Sequence, residues 1–133
     1  MKRICLIGGD GFIGSSLKKN LPLNDCKISN FDKHNKNNYE NFFKGDVKNP
    51  SDLELCFEDG FDCLINLAAE HRDDIIPISL YFDTNVQGSV NICEKARLFN
   101  INKIIFISSV AVYGFSSKPC DEDSATNPFN EYG

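Results

Sequence analysis

Three glycines near the start of the chain, Gly8, Gly11 and Gly14, have the spacing that most directly predicts chemistry. They follow an apolar stretch, residues 4–7, and lead into apolar residues repeated every four positions, Ile13, Leu17 and Leu21. In a strand–turn–helix the first glycine permits a positive φ, the second lets backbone N–H groups approach a pyrophosphate, and the third allows close helix packing. The positive end of the helix then faces the phosphates. The motif predicts a dinucleotide-binding loop, with a glycine-rich turn that binds nothing as the alternative.

An acidic residue, Asp32, ends the second predicted strand, residues 26–31. It lies about 20 residues beyond the glycines, where a carboxylate can accept hydrogen bonds from the adenosine ribose and repel a 2′-phosphate. This favours NAD over NADP. Lys33 follows directly and could tolerate the extra phosphate, so NADP stays open at this point.

Asp46 and Val47 follow the third predicted strand, where the carboxylate could face the exocyclic amine of an adenine and the valine could pack on its ring. The pair is a weak signal by itself, because Gly-Asp is also an ordinary turn sequence. Small residues end the fourth strand and leave room for a cofactor at the carboxyl edge of the sheet, or simply pack there: Leu67, Ala68 and Ala69.

Two serines, Ser108 and Ser109, end the fifth predicted strand. A serine hydroxyl there could donate a hydrogen bond to a substrate oxygen above a nicotinamide ring. A serine that merely ends a strand is the alternative, and only the other motifs favour the functional interpretation.

The elements that position these residues alternate between strand and helix patterns, which predicts a doubly wound, Rossmann-type parallel sheet of about five strands in one domain, residues 1–133. The strands are expected near residues 4–7, 26–31, 42–47, 62–67 and 103–108, the last as a buried central strand. Asn49 and Pro50 predict a helix start, and a long helix is expected over residues 80–99. Residues 33–41 and 115–130 are expected to be loops, the first of them exposed.

The composition limits the class of protein. A net charge of −5 argues against a nucleic-acid partner, and no apolar run is long enough to cross a membrane. The first residues lead directly into the glycine loop, so we expect no cleaved signal peptide and a cytoplasmic location. None of the six cysteines forms a C-x-x-C pair, and both histidines are isolated, which predicts core thiols and no metal site.

Together these motifs resemble the N-terminal part of an extended short-chain dehydrogenase/reductase, specifically of the NAD-dependent sugar-nucleotide epimerase/dehydratase family. The resemblance covers essentially the whole chain in order and spacing. Besides the residues above, it rests on residues 84–88 (Thr-Asn-Val-Gln-Gly), 108–114 (Ser-Ser-Val-Ala-Val-Tyr-Gly) and 127–133 (Asn-Pro-Phe-Asn-Glu-Tyr-Gly).

The resemblance implies a role for each matching position. Phe12 and Ile13 would lie at the pyrophosphate, Asp32 at the ribose, and Asp46 with Val47 at the adenine. Leu67, Ala68 and Ala69 would line the nicotinamide side, and Asn85 would shape that wall. Ser109 would be the catalytic serine, and Tyr132 the catalytic tyrosine of a Tyr-x-x-x-Lys motif.

The resemblance also implies a hydride-transfer enzyme that uses NAD and a nucleotide-sugar substrate. Val110 and Ala111 stand where dehydratases of the family place an Asp-Glu pair, which favours an epimerase or a reductase. A non-catalytic dinucleotide-binding module and an NADPH-dependent reductase remain the alternatives. Family members often form homodimers, and the helix over residues 80–99 would be one of two contributing helices.

Two departures from the family pattern affect these expectations. The sequence stops at Gly133, before the family's lysine and before the last strands and the substrate domain, so we expect a truncated, inactive N-terminal fragment. Residues 70–74 (Glu-His-Arg-Asp-Asp) differ from the residues common in 4-epimerases, and the sugar cannot be assigned by analogy.

Overall fold

The computed structural model describes residues 1–21 and 25–133. The strands are β1 (Lys2–Ile7), β2 (Cys26–Asp32), β3 (Asn41–Lys44), β4 (Cys63–Asn66) and β5 (Ile104–Phe106). They form one five-stranded sheet in the order β3-β2-β1-β4-β5, and every adjacent pair is parallel. The helices are α1 (Phe12–Asn20), α2 (Pro50–Phe57), α3 (Ser79–Tyr81) and α4 (Gly88–Leu98). A π-helical segment, Phe82–Gln87, joins α3 to α4, and a 3-10 turn spans Val110–Tyr113.

The sheet is covered by helices on both faces, which confirms the doubly wound fold. Successive residues of the central strand β1 are fully buried and point to opposite faces, as the twofold period of a strand requires. Cys5 and Ile7 pack with Leu53 of α2 and Ile92 of α4. Leu6 belongs to a second cluster, against which Leu17 of α1 packs.

The fifth strand lies at an edge of the described sheet, not between two strands as its apolar run predicts. β5 pairs with β4 on one side, and among the residues that the structure describes no strand pairs with its other side. Ile104, Ile105 and Phe106 are 37%, 39% and 58% exposed. An apolar run is typical of a strand covered by neighbours on both sides, and the described residues supply a neighbour on one side only.

The expectation of an exposed loop over residues 33–41 was also partly wrong. Most of its residues are open to solvent, but Tyr39 is only 5% exposed and packs in the cluster that contains Leu6. An aromatic ring can join the core while the polar residues around it stay in water. We call residues 33–40 the β2–β3 loop.

The long helix is confirmed as consecutive helical segments over residues 79–98. Its Ile92 and Ala96 face the core at 1% exposure, whereas Phe82, Val86 and Val90 lie on the outside, 58%, 48% and 42% exposed. We call these three outer residues the apolar row, and they are exposed on the surface of the described structure.

Smaller predictions can be checked in the same way. Asn49 begins α2, and its side-chain oxygen accepts a hydrogen bond from the Ser51 amide at 3.3 Å, with Pro50 in the first turn. Cys5, Cys56 and Cys63 are buried, as core thiols should be, whereas Cys120 is exposed. Residues 115–130 form no helix or strand. Across the described ranges, no helix is both long and apolar enough to cross a membrane.

Candidate functional site

A cleft of about 460 Å³ lies at the carboxyl ends of the central strands, where open α/β sheets bind ligands. It brings together most of the residues that the sequence singles out. Its walls include Gly8, Gly11, Phe12, Ile13, Gly14, Asp32, Asp46, Val47, Leu67, Ala68, Ala69 and Tyr132. Asn85 and Ser109 do not line it, whereas Lys33, Thr84, His71 and Ser108 do.

The turn between β1 and α1 requires glycine for steric reasons. Gly8 has φ +83°, and a Cβ on it would lie 2.8 Å from the Ala68 amide nitrogen. A Cβ on Gly14 would overlap the carbonyl oxygen of Gly9. The absence of these side chains lets the end of β4 and the first turn of α1 close tightly around the loop.

The N-terminus of α1 meets the cleft without a side-chain cap. Gly11 is the N-cap residue, and no acidic side chain lies in the first turn. The first N–H groups of a helix have no partner within it, and its dipole favours a negative charge there. A Cβ on Gly11 would meet only the Gly8 carbonyl oxygen at 3.4 Å, so the space in front of this turn is open. This cradle fits a pyrophosphate.

Asp32 lies at the end of β2, where its Oδ2 accepts a hydrogen bond from the Asp10 amide at 3.0 Å. The carboxylate borders the cleft, so its remaining lone pairs can accept from ribose hydroxyls. The residues present therefore fit the adenosine ribose of a dinucleotide.

Asp46 is surrounded by cations that the sequence did not reveal as its partners. Its Oδ2 lies 3.2 Å from the Lys33 Nζ and 3.8 Å from the Lys48 Nζ, and its Oδ1 accepts from the Lys48 amide at 3.0 Å. Burial opposes ionisation, but the Lys48 amide and the Lys33 ammonium outweigh it and hold the pKa of Asp46 below its usual value. The carboxylate is therefore charged at neutral pH.

The β2–β3 loop folds back over the glycine turn through contacts that sequence reasoning missed. The Asp10 carboxylate accepts hydrogen bonds from the amides of Lys36, at 2.7 Å, and Asn37, at 3.0 Å. The Tyr39 hydroxyl donates to the Gly9 carbonyl at 3.0 Å. Burial, aided by the charges of Asp10 and Asp32, raises the pKa of Tyr39 to about 12. The sequence signal for this contact was an aromatic residue, Tyr39, inside a run rich in Asn and Lys.

Asn85 acts from behind the cleft wall. From the π-helical segment, its side chain accepts from the Glu70 amide at 2.8 Å and donates to the Glu70 carbonyl at 2.9 Å. This pair of bonds pins the chain just after Ala69. Asn85 therefore contacts the backbone behind the cleft wall and does not border the cleft itself.

Tyr132 and Ser108 border the same cleft near the end of β5. Tyr132 lines the cleft, with its ring centroid 6.4 Å from that of His71. A Cβ on Gly133 would lie 2.6 Å from the Ala111 carbonyl oxygen, so the tyrosine segment returns to the turn after Ser109. Ser109 uses its hydroxyl oxygen to accept from the Ala111 amide at 3.1 Å, while Ser108 borders the cleft.

A metal centre is not part of this arrangement. Within residues 1–21 and 25–133, no group of three or more His, Cys, Asp and Glu side chains is placed to hold an ion.

Comparisons with known proteins agree with this geometry. The N-acetyl-alpha-D-glucosaminyl-diphospho-ditrans,octacis-undecaprenol 4-epimerase of Escherichia coli O157:H7 is 42% identical over 131 residues, 98% of this chain and 39% of that protein. The bifunctional UDP-glucose 4-epimerase and UDP-xylose 4-epimerase 1 of Pisum sativum is 32% identical over 153 residues, 99% of this chain and 44% of that protein. The chain thus spans less than half the length of these relatives.

Solved structures show the same fold. UDP-glucose 4-epimerase from Brucella ovis, crystallised with NAD, superposes with a TM-score of 0.90 at 28% identity, covering 99% of this chain and 43% of that one. The Bordetella bronchiseptica enzyme WbmG, crystallised with NAD and UDP, gives a TM-score of 0.85 at 26% identity, covering 99% and 46%.

A family model described as "NAD dependent epimerase/dehydratase family" matches residues 4–133. The family's cofactor is NAD, as the glycine loop and Asp32 predict. With the fold, the cleft and this match in agreement, the chain belongs to the NAD-dependent epimerase/dehydratase family.

Proposed function

We propose that residues 1–133 form the NAD-binding domain of a 4-epimerase that acts on a diphosphate-linked sugar. The observation that carries this proposal is the cleft itself, in which the glycine loop, Asp32, Asp46 and Tyr132 border one continuous space. A dinucleotide and a reacting sugar need these groups side by side, at the carboxyl edge of the sheet.

The chain's own residues assign an orientation to NAD. The open turn at Gly11 and the N-terminus of α1 would hold the pyrophosphate, and Asp32 would accept from the adenosine ribose. Asp46 and Val47 would take the adenine. Leu67, Ala68 and Ala69 would lie along the nicotinamide, in a wall held from behind by Asn85.

The chemistry assigned to the protein is proton transfer and positioning. The cofactor, when bound, would supply reversible hydride transfer at the sugar carbon. Tyr132 would remove the hydroxyl proton, and Ser109, or Ser108 at the cleft wall, would hydrogen-bond the same oxygen. A phenol that works as a base near neutral pH needs a pKa about three units below the usual ~10, roughly 4 kcal/mol.

A neighbouring cation can lower a phenol's pKa in this way. The family supplies it from a lysine four residues after the tyrosine, outside residues 1–133. We therefore propose that the 133-residue polypeptide by itself binds NAD without measurable turnover.

The relatives favour 4-epimerisation over reduction, since both curated relatives described above carry that activity in their names. Their substrates share a sugar joined to a diphosphate, whose far side is a nucleoside in one and a polyprenol in the other. Our proposal extends to this shared chemistry. We also propose that the protein forms a homodimer through the apolar row, whose side chains are exposed. We further propose a cytoplasmic location, and the six free cysteines support this location.

The test is an epimerisation assay on the whole protein, with UDP-N-acetylglucosamine and undecaprenyl-diphosphate N-acetylglucosamine as parallel substrates. We expect NAD-dependent formation of the 4-epimer, and a loss of about 10²–10⁴-fold in Tyr132→Phe, the usual scale of general acid–base catalysis. Net consumption of NADPH with formation of a reduced sugar would favour the reductase instead. NAD binding without turnover of either substrate would favour a non-catalytic module.

A further inference from the structure

Lys33, the cation next in sequence to the proposed ribose-binding Asp32, is not free. Lys33 follows Asp32 directly and borders the cleft, the place from which a basic residue would accommodate the 2′-phosphate of NADP. Its Nζ is instead 3.2 Å from Asp46 Oδ2. The ion pair is half exposed at Lys33 and 28% exposed at Asp46, so solvent can enter but the ammonium already has a partner.

Asp46 is itself fixed in place. Its amide donates to Asp52 Oδ2 at 3.0 Å, and its Oδ1 accepts from the Lys48 amide at the same distance. These bonds tie the backbone of Asp46 to the first turn of α2 and its side chain to the turn that precedes the helix. A carboxylate held in this way offers Lys33 a fixed partner beside the adenine end of the cleft.

The backbone donors of the β2–β3 loop are also occupied. The amides of Lys36 and Asn37 point at one carboxylate, that of Asp10, at 2.7 and 3.0 Å. Two successive backbone N–H groups are a common way to bind a phosphate. Here the Asp10 carboxylate occupies the position that a phosphate would take. Asp10 also lies next to Asp32, whose Oδ2 accepts a hydrogen bond from the Asp10 amide.

We propose that Asp10 and Asp46 are specificity-determining residues that reject NADP by occupying the donors which its 2′-phosphate would need. Asp46 holds the ammonium of Lys33, and Asp10 holds the amides of Lys36 and Asn37. The charge of Asp32 alone does not account for selection in this chain, because a lysine stands next to it. The inference rests on the proposed NAD site and deepens it.

The test compares the dissociation constants of NAD and NADP by calorimetry for the wild-type chain, Asp46→Asn, Lys33→Met and the double variant. Loss of an adenine contact in Asp46→Asn weakens both cofactors alike, so the ratio of the two constants isolates the effect at the 2′-position. We expect Asp46→Asn to shift this ratio toward NADP by about fivefold, the scale of one exposed ion pair. Lys33→Met by itself should leave the ratio of the NAD and NADP constants unchanged. The double variant should show no shift toward NADP, because the ammonium that Asp46→Asn would release is absent.

Lys48→Met is the matched control, because Lys48 also contacts Asp46 but does not follow Asp32. It should leave the ratio unchanged. Asp10→Ala, which releases both loop amides, should also shift the ratio toward NADP, and thermal melting of each variant checks its folding.

Two outcomes overturn the inference, and they are distinguishable. A wild-type chain that binds NAD, with the same ratio in Asp46→Asn and Asp10→Ala, contradicts the inference and leaves the proposed function standing. A folded wild-type chain that binds neither cofactor contradicts both.

Discussion

Replacement of Gly11 by alanine should separate cofactor binding from folding. Gly11 has φ −73° and ψ 177°, an extended conformation that alanine adopts readily. The added methyl would meet only the Gly8 carbonyl oxygen, at an ordinary 3.4 Å. Alanine has less freedom in the unfolded chain, which stabilises by about 0.4–1 kcal/mol, but it is a poorer N-cap residue than glycine by a similar amount. Because the two effects oppose each other, we expect the free energy of unfolding to stay within about 1 kcal/mol of the wild-type value.

NAD binding should change more than stability does. The methyl takes up open space in front of the first turn of α1, where the pyrophosphate would receive backbone hydrogen bonds. A hydrogen bond to a charged group contributes about 1.5–3 kcal/mol. We therefore expect Gly11→Ala to weaken NAD binding by about 10- to 100-fold, measured by calorimetry, with stability followed by urea unfolding.

Gly60→Ala is the matched control. Gly60 has φ +73° and lies away from the cleft, with only the Arg3 guanidinium within reach of a Cβ, at 3.6 Å. It should lose about 1–2 kcal/mol of stability from the left-handed backbone alone and keep the wild-type affinity for NAD. Equal NAD affinities in Gly11→Ala and the wild type would refute the cradle assigned to this turn.

Three further predictions concern other parts of the molecule. Asp32→Ala should weaken NAD binding by about tenfold or more while NADP loses less, in the same titrations, because the carboxylate accepts ribose hydrogen bonds; equal losses would count against that role. Ultraviolet difference spectra should show one tyrosine that titrates near pH 12, and this titration should be absent in Tyr39→Phe. Because the folded state keeps a proton that the unfolded state releases from pH 10, stability should fall between pH 10 and about 12. Sedimentation should show a dimer that Val86→Glu converts to monomer, since the charge falls in the apolar row; a wild-type monomer would contradict that interface.

Local signals predicted much of the fold. The glycine turn, the Asn49 cap and the alternation of strands with helices depend on neighbours in sequence, and each appears close to where it was expected. Asp32 and the Leu67–Ala69 stretch could be placed at the cleft because parallel strands end at one edge of the sheet.

The errors and omissions concern relations between distant residues. Whether Ile104–Phe106 are covered depends on a strand on the far side of β5, and the described residues supply none there. The pairing of Lys33 with Asp46, and the hold of Asp10 on the loop amides, join residues 13 and 26 or more positions apart. No periodicity reports such contacts, because they depend on the closed tertiary structure.

Calorimetric titration of NAD into the wild-type chain, with NADP in parallel, measures the proposed cofactor site itself. We expect saturable binding of one NAD per chain and clearly weaker binding of NADP. Binding of neither cofactor by the folded chain, or equal binding of both, would contradict this expectation.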